Sequence, residues 1–240
     1  MGFDRVRIKE NAKTHYELNK WNNVLVILIC GAISGISGGF SGGVNSTAGE
    51  GDDLSLAMAL VSFVVSIIGL LLSIFLVNVV SMGTAIWFQR SIHREKLDIG
   101  EMFTCFKVNY MDNVLMMFLK GLYISLWSLL FFIPGIVKSY AYRMAEYIKG
   151  ENPNIPANRA IELSKIMTDG HKADLFVLDL SFIGWNLLSL FTCGILSIVY
   201  VGPYYNAAIA FAYEELKAEA IASGKISAEE LGGSGEVYMN

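Results

Sequence analysis

The chain has 240 residues, of which 54% are hydrophobic and only 17% charged; a soluble domain carries about 25% charged residues, so the composition points to a membrane protein. A net charge of −4 gives no support to a nucleic-acid partner, which calls for a basic patch or stripe. The three scattered cysteines, Cys30, Cys105 and Cys193, form neither a disulfide framework nor a metal site.

Residues 3–20, FDRVRIKENAKTHYELNK, hold five Lys or Arg and set Ile8, Ala12 and Tyr16 at steps of four. That spacing puts the three on one helical face and predicts a basic amphipathic helix over residues 1–20, lying on the membrane surface. A first span is expected from Trp21 to about Phe40, retained rather than cleaved as a signal peptide. Within it Gly31, Gly35 and Gly39 recur at every fourth residue, a smooth face that lets another helix approach closely. The same stretch spells G-x-S-x-G around Ser37. A nucleophile needs a base within reach, however, and His15, His93 and His171 all fall outside the expected spans.

The loop from Ser41 to Leu54 contains Glu50, Asp52 and Asp53 and no Lys or Arg, so it should face outward. Ser55 to Trp87 is a run of 33 uncharged residues. As helix it is roughly 50 Å long against a hydrocarbon core of about 30 Å, so this second span must tilt or project. Ser62, Ser66, Gly69 and Ser73 make a small-residue stripe on it for helix packing. A basic loop follows at residues 89–96. Next comes an amphipathic helix from Asp98, with Glu101 placed for a capping box and Phe103, Phe106 and Tyr110 on one face.

Lys120 marks the inner end of the third span, which runs to Ile133. Pro134-Gly135 is read as the break at which one helix ends and the fourth span begins, returning to about Lys149. The polar segment from Glu151 to Asp174 holds a helix bounded by Pro156 and Gly170. Leu175–Phe191 is the fifth span, Thr192-Cys193-Gly194 its turn, and Ile195 to about Glu214 the sixth, interrupted at Gly202-Pro203. The fold class is therefore all-α: a polytopic helical membrane bundle of about six spans over residues 21–216, with cytosolic amphipathic helices and a flexible cytosolic tail at 217–240. The amino terminus, the 89–112 loop and the 149–174 loop hold 13 Lys or Arg and the outward connections none, which puts both termini in the cytoplasm.

Ionisable groups at membrane depth are functional candidates by default. Counted from the inner ends of their spans, Arg143 and Asp179 lie about 9 Å and 7 Å deep at ~1.5 Å per residue. We expect them to pair across the fourth and fifth helices, with Glu146 nearby and Tyr140 or Tyr147 completing the hydrogen bonds. A buried pair that fixes helix register and a proton or ion relay are the two roles such a cluster can take. Lys138, one turn from Pro134-Gly135, is expected to snorkel to the outer head groups.

At FIPGIVKSYAYRMAEYI, SKIMTDGHKADLFVLDLSFIGW, TCGI and GPYYNAAIAFAY, and at the amino-terminal IKENAK with Trp21, the chain resembles the bacterial membrane proteins grouped as domain of unknown function 975. Pro134, Gly135, Lys138, Tyr140, Tyr142, Gly170, Lys172, Phe176, Gly184, Trp185, Pro203 and Tyr204 fit that pattern, and the resemblance covers nearly the whole chain. It implies a multi-pass protein of the bacterial plasma membrane and supplies no activity. No catalytic residue, metal site or cofactor is expected, since no metal-ligand cluster, phosphate-binding loop or nucleophile with a base appears. Two classes fit: a non-enzymatic scaffold or accessory module that packs on a membrane-protein partner or on its own copy, and a small-solute, ion or lipid transporter. For the second, the breaks at Pro134-Gly135 and Gly202-Pro203 matter, because discontinuous helices frame transporter sites. Anionic inner-leaflet lipids suit the basic segments in either case.

Overall fold

The computed structural model describes residues 3–42, 52–94 and 97–232, and their regular structure is helical throughout. Helix α1 (Arg5–Leu18) starts at Asp4, whose Oδ1 accepts the Val6 and Arg7 amides at 3.0 and 3.2 Å. This satisfies two of the four N–H groups that a helix start leaves open. The Ile8, Ala12 and Tyr16 face is buried, but against the chain itself. It packs along α12 (Gly202–Ala222), where Arg7 meets Glu215 at 2.6 Å. The face expected to meet the membrane surface thus meets the protein itself, while most of the rest of the helix is exposed; a stripe at steps of four shows that a face is covered, not by what.

Helix α2 (Lys20–Gly42) is followed by α3 (Asp52–Leu72) and α4 (Asn78–Ser91), which join through a π-helical segment, Ser73–Val77. A second π-helical segment, Ser197–Val201, leads into α12, and α2 packs against both. Between them lie α5 (Thr104–Lys107), α6 (Tyr110–Leu130), α7 (Phe132–Ala141), α8 (Ala145–Glu151), α9 (Ala157–Met167), α10 (Lys172–Leu180) and α11 (Ile183–Phe191). Among the described residues three stretches are long and apolar enough to cross a membrane, Leu60–Ser91, Tyr110–Leu130 and Lys172–Phe191, and Lys20–Gly35 is a shorter apolar helix.

The amphipathic helix after the basic loop is short. A 3-10 turn, Ile99–Phe103, leads into α5, which the extended Val108 ends; Asn109 at φ 47° then starts α6, a left-handed position that Asn tolerates. Asp98 forms no side-chain cap. Glu101 instead takes Arg90 at 3.1 Å and Arg94 at 3.3 Å, so the expected capping box is an ion-pair cluster. With the turn at Asn109, α6 starts early and Lys120 lies in mid-helix rather than at an inner end.

The first hairpin turns at one extended residue, Phe131, with φ −154° and ψ 137°. The break is therefore ahead of Pro134-Gly135, which belong to the first turn of α7. Proline there omits an N–H that the helix start leaves without an intrahelical partner. Gly135 lets the arms touch, since a Cβ would stand 2.1 Å from Ser128 Oγ and 2.8 Å from Ser128 Cα. Helix α7 has 10 residues, about 15 Å, half of the hydrocarbon thickness. The fourth span of the sequence reading is accordingly split into α7, the turn Tyr142–Met144 and α8.

The second hairpin turns at Thr192–Gly194, where Cys193 and Gly194 have φ of 50° and 83°. Gly202-Pro203 is no break: helix continues through it from the π-helical segment. Pro203 cannot donate to the Val199 carbonyl four residues back, and the Tyr16 hydroxyl of α1 does so at 2.9 Å. Helix α12 then runs past the predicted end of the bundle. Beyond it Ile226 and Leu231 are buried, Asn152 Nδ2 donates to the Glu230 carbonyl at 3.0 Å and Arg159 pairs with Glu230 at 2.8 Å. The expected flexible tail is thus anchored up to residue 232 by two apolar residues too sparse to form a periodic pattern. Residues 233–240 and most of the acidic 41–54 loop lie outside the described residues.

Candidate functional site: a clasp between two hairpins

Arg143 lies not on a helix but in the turn between α7 and α8. The turn is held by α9: Ser164 Oγ donates to the Ala141 carbonyl at 2.8 Å and accepts the Met144 amide at 3.0 Å. Thr168 Oγ1 donates to the Ser164 carbonyl at 2.8 Å. The backbone groups that a helix break exposes are thereby satisfied, and the guanidinium is aimed across at α10.

There Arg143 Nη1 donates to Asp179 Oδ2 at 2.8 Å, and the Tyr140 hydroxyl of α7 donates to the same oxygen at 2.8 Å. The Tyr205 hydroxyl of α12 accepts from Arg143 Nη2 and donates to Asp179 Oδ1 at 3.0 Å. The guanidinium carbon stands 5.5 Å from the ring centres of both Tyr140 and Tyr205. Phe182 closes one side, its ring 5.2 Å from that of Tyr205, and Phe176 packs edge-on to Tyr140 at 6.1 Å. The Arg143 and Asp179 side chains are 19% and 26% exposed, so this is a partly buried pair with a closed ring of hydrogen bonds.

Of the residues singled out from sequence, the structure brings together Arg143, Asp179 and Tyr140. Glu146 and Tyr147 stand apart. Glu146 pairs with Lys120 of α6, and Tyr147 stacks on Tyr213 with ring centres 5.2 Å apart. Sequence reasoning missed Tyr205. Both Tyr204 and Tyr205 lie in the GPYYNAAIAFAY stretch, but nothing in periodicity distinguishes which of two adjacent tyrosines faces α10.

The small-residue faces divide in the same way. Neither Gly31 nor Gly35 has an atom within 4 Å of where a Cβ would stand, so among the described residues nothing covers this face of α2; of Gly39 only the backbone is described. On α3, Gly69 is buried, Ser62 half-buried and Ser66 exposed, with the Ser66 hydroxyl donating to the Ser62 carbonyl of its own helix at 2.8 Å. Ser73 is half-buried at the start of the π-helical segment.

All three histidines are engaged with other parts of the chain. His15 bonds the Ser91 carbonyl, His93 pairs with Glu214 at 3.2 Å, and His171 with Glu219 at 2.8 Å and Asp174 at 3.3 Å. Burial pushes the Cys105 thiol up to about 11, which keeps it protonated and unreactive. Among the described residues no three His, Cys, Asp or Glu side chains are grouped to hold a metal ion.

Residues 129–220 match the family model described as protein of unknown function, DUF975. Tyr140, Arg143, Asp179 and Tyr205 all fall within it. The amino-terminal IKENAK and the glycine face of α2 lie outside it. No curated protein and no solved structure matches the chain.

Proposed function

We propose, from the premise that the chain belongs to the DUF975 family through its residues 129–220, that it is a non-enzymatic scaffold or accessory module of the bacterial plasma membrane. Its two hairpins are clasped by Arg143 and Asp179. The observation that carries this reading is that the cluster satisfies itself. Both carboxylate oxygens of Asp179 and two nitrogens of Arg143 are engaged with each other, Tyr140 and Tyr205. An acid–base or nucleophilic centre instead directs a group at its substrate. A clasp of this kind fixes register, the best-attested use of a buried polar pair. The open face at Gly31 and Gly35 suits close approach by a helix of a membrane-protein partner or a second copy.

In this reading the chain is a multi-pass bundle with both termini cytoplasmic and about six membrane-inserted arms, counting α2 and the two return arms, of which α7 with its 10 residues reaches about half of the hydrocarbon thickness. Support for an even number comes from the Arg7–Glu215 contact at 2.6 Å, which joins the first helix to the last. Support for the cytoplasmic side comes from the Lys and Arg count. A second reading, a small-solute, ion or lipid transporter, is favoured by the two π-helical segments that both pack on α2, since such segments are frequent at functional sites.

The clasp is tested by charge exchange. Arg143→Gln and Asp179→Asn should each lower the thermal midpoint of the detergent-extracted protein, and Arg143→Asp combined with Asp179→Arg should recover part of the loss. A double variant no better than the single ones rejects the clasp. Gentle extraction from native membranes followed by mass analysis then separates the two classes: a protein bound at fixed stoichiometry supports the module, a retained solute the transporter.

A further inference from the structure

Around the packed end of the protein several basic side chains meet an acid: Arg7 with Glu215, Lys217 with Glu151, Arg159 with Glu230, Lys149 with Asp112. One pocket departs from this. It is lined by Lys138 of α7, Lys165 of α9, Lys172 at the start of α10 and Lys225 after α12, with Asp169 as the single carboxylate. Asp169 bonds Lys172 at 3.2 Å, so the lining carries four positive charges against one negative. The four lysines come from three separate regions of the sequence, Lys165 and Lys172 from the same one, and only the fold assembles them.

An excess of positive charge in a concave site is a site for an anion. Lysine ammonium groups are compact, strongly hydrated point charges, and lysine is a regular phosphate binder. We propose that this pocket binds the phosphate of an anionic lipid head group. Two features of the surroundings favour a lipid. Lys138 Nζ lies 4.8 Å from the Trp127 ring, and tryptophan marks head-group depth. Toward the hairpin tip α7 exposes Ile133, Ile136 and Val137, an apolar wall along which an acyl chain can lie. Lys138 thus stands beside Lys165 and Lys172 rather than at the far side of the bilayer, because its helix arm is short. The inference is independent of the clasp, which uses none of these lysines.

Phosphate is common to lipid head groups and to soluble phosphate compounds, and one experiment separates the sources. The full-length protein in a neutral maltoside detergent is titrated with phosphatidylglycerol, phosphatidylcholine or inorganic phosphate and followed by native mass spectrometry. We expect one phosphatidylglycerol retained per chain in preference to phosphatidylcholine. Lys165→Gln combined with Lys225→Gln should weaken retention by about 30-fold, at roughly a factor of five per lysine. Lys13→Gln with Lys107→Gln, the same loss of charge elsewhere, should leave it unchanged, and Asp169→Asn should strengthen it. Lys165, Lys225 and Asp169 are all exposed, so folding is not at risk, and an unchanged thermal midpoint verifies this. Equal retention by the two double variants, or of the two lipids, overturns the proposal. Lysine-dependent binding of inorganic phosphate without phosphatidylglycerol preference overturns the lipid source and keeps the phosphate site.

Discussion

Where α1, α4, α8, α9 and α12 meet, Trp87, Phe88, Ile148, Leu163 and Tyr213 are all less than 2% exposed, and ion pairs join nearly every element to its neighbours. At the hairpin tips Phe132 and Phe191 stand 77% and 85% open. In water such tips would collapse onto the protein. Lipid tails are as apolar as the side chains themselves, so in a bilayer no hydrophobic force drives helix against helix. Self-packing is concentrated where these five helices meet. The hairpin arms are held by close backbone approach, as at Gly135 and Ser128, and by polar contacts such as the clasp.

The sharpest way to break the charged end is to strand a charge inside it. The Lys149 side chain is fully buried, bonded to Asp112 and the Ile155 carbonyl, while Asp112 is 35% exposed. Asp112→Ala leaves an ammonium with no counter-charge, a loss of about 3–5 kcal/mol. Lys149→Met removes the buried charge itself and leaves a carboxylate that water reaches, so it should cost less. Thermal or denaturant midpoints of the two variants in the same detergent rank them, and the reverse order would show that the lysine is not the stranded partner.

In the apolar half the corresponding change is steric and smaller. Gly135→Ala should push the hairpin arms apart at a cost of about 1–3 kcal/mol, the usual range for overpacking. Gly31→Ala and Gly35→Ala, facing open space, should leave the isolated chain as stable as before. If all three behave alike, backbone approach is not what holds the first hairpin.

How much of this was legible follows the same division. The helical class and the apolar stretches can be read from composition and residue counting, because membrane thickness imposes a length scale on the sequence; the contact of Arg143 with Asp179 is expected from a count along a continuous helix, and the structure makes it from a turn instead. The charged end cannot be read in this way. Its segments look like polar loops and a loose tail, since their few apolar residues, such as Ile155, Ile226 and Leu231, acquire meaning only when three distant segments meet. Pro134-Gly135 and Gly202-Pro203 were misplaced as breaks for a related reason. Proline and glycine mark backbone exceptions, but whether the exception is a turn, a first helical turn or a continuing helix depends on what replaces the missing hydrogen bond. At Pro203 the replacement is Tyr16, from the other end of the chain.

The smallest effect concerns the seam between α1 and α4. His15 is buried at 7% exposure; its Nε2 lies 3.1 Å from the Ser91 carbonyl, its Nδ1 has no partner, and the edge of the Phe211 ring approaches at 6.4 Å. The neutral ring fits, with Nε2–H as donor. A second proton would place an N–H at Nδ1 with nothing to accept it, and burial lowers the His15 pKa from 6.5. Below that value the unfolded chain takes up the proton more readily than the folded one. The contribution of His15 is therefore fully present above about pH 6.5 and is lost as pH falls from there to the folded value. Measured between pH 8 and pH 5, the thermal midpoint of the wild-type protein should fall more than that of His15→Asn, which has no titrating ring. Parallel curves for the two proteins would mean that the proton is taken up without disturbing the seam.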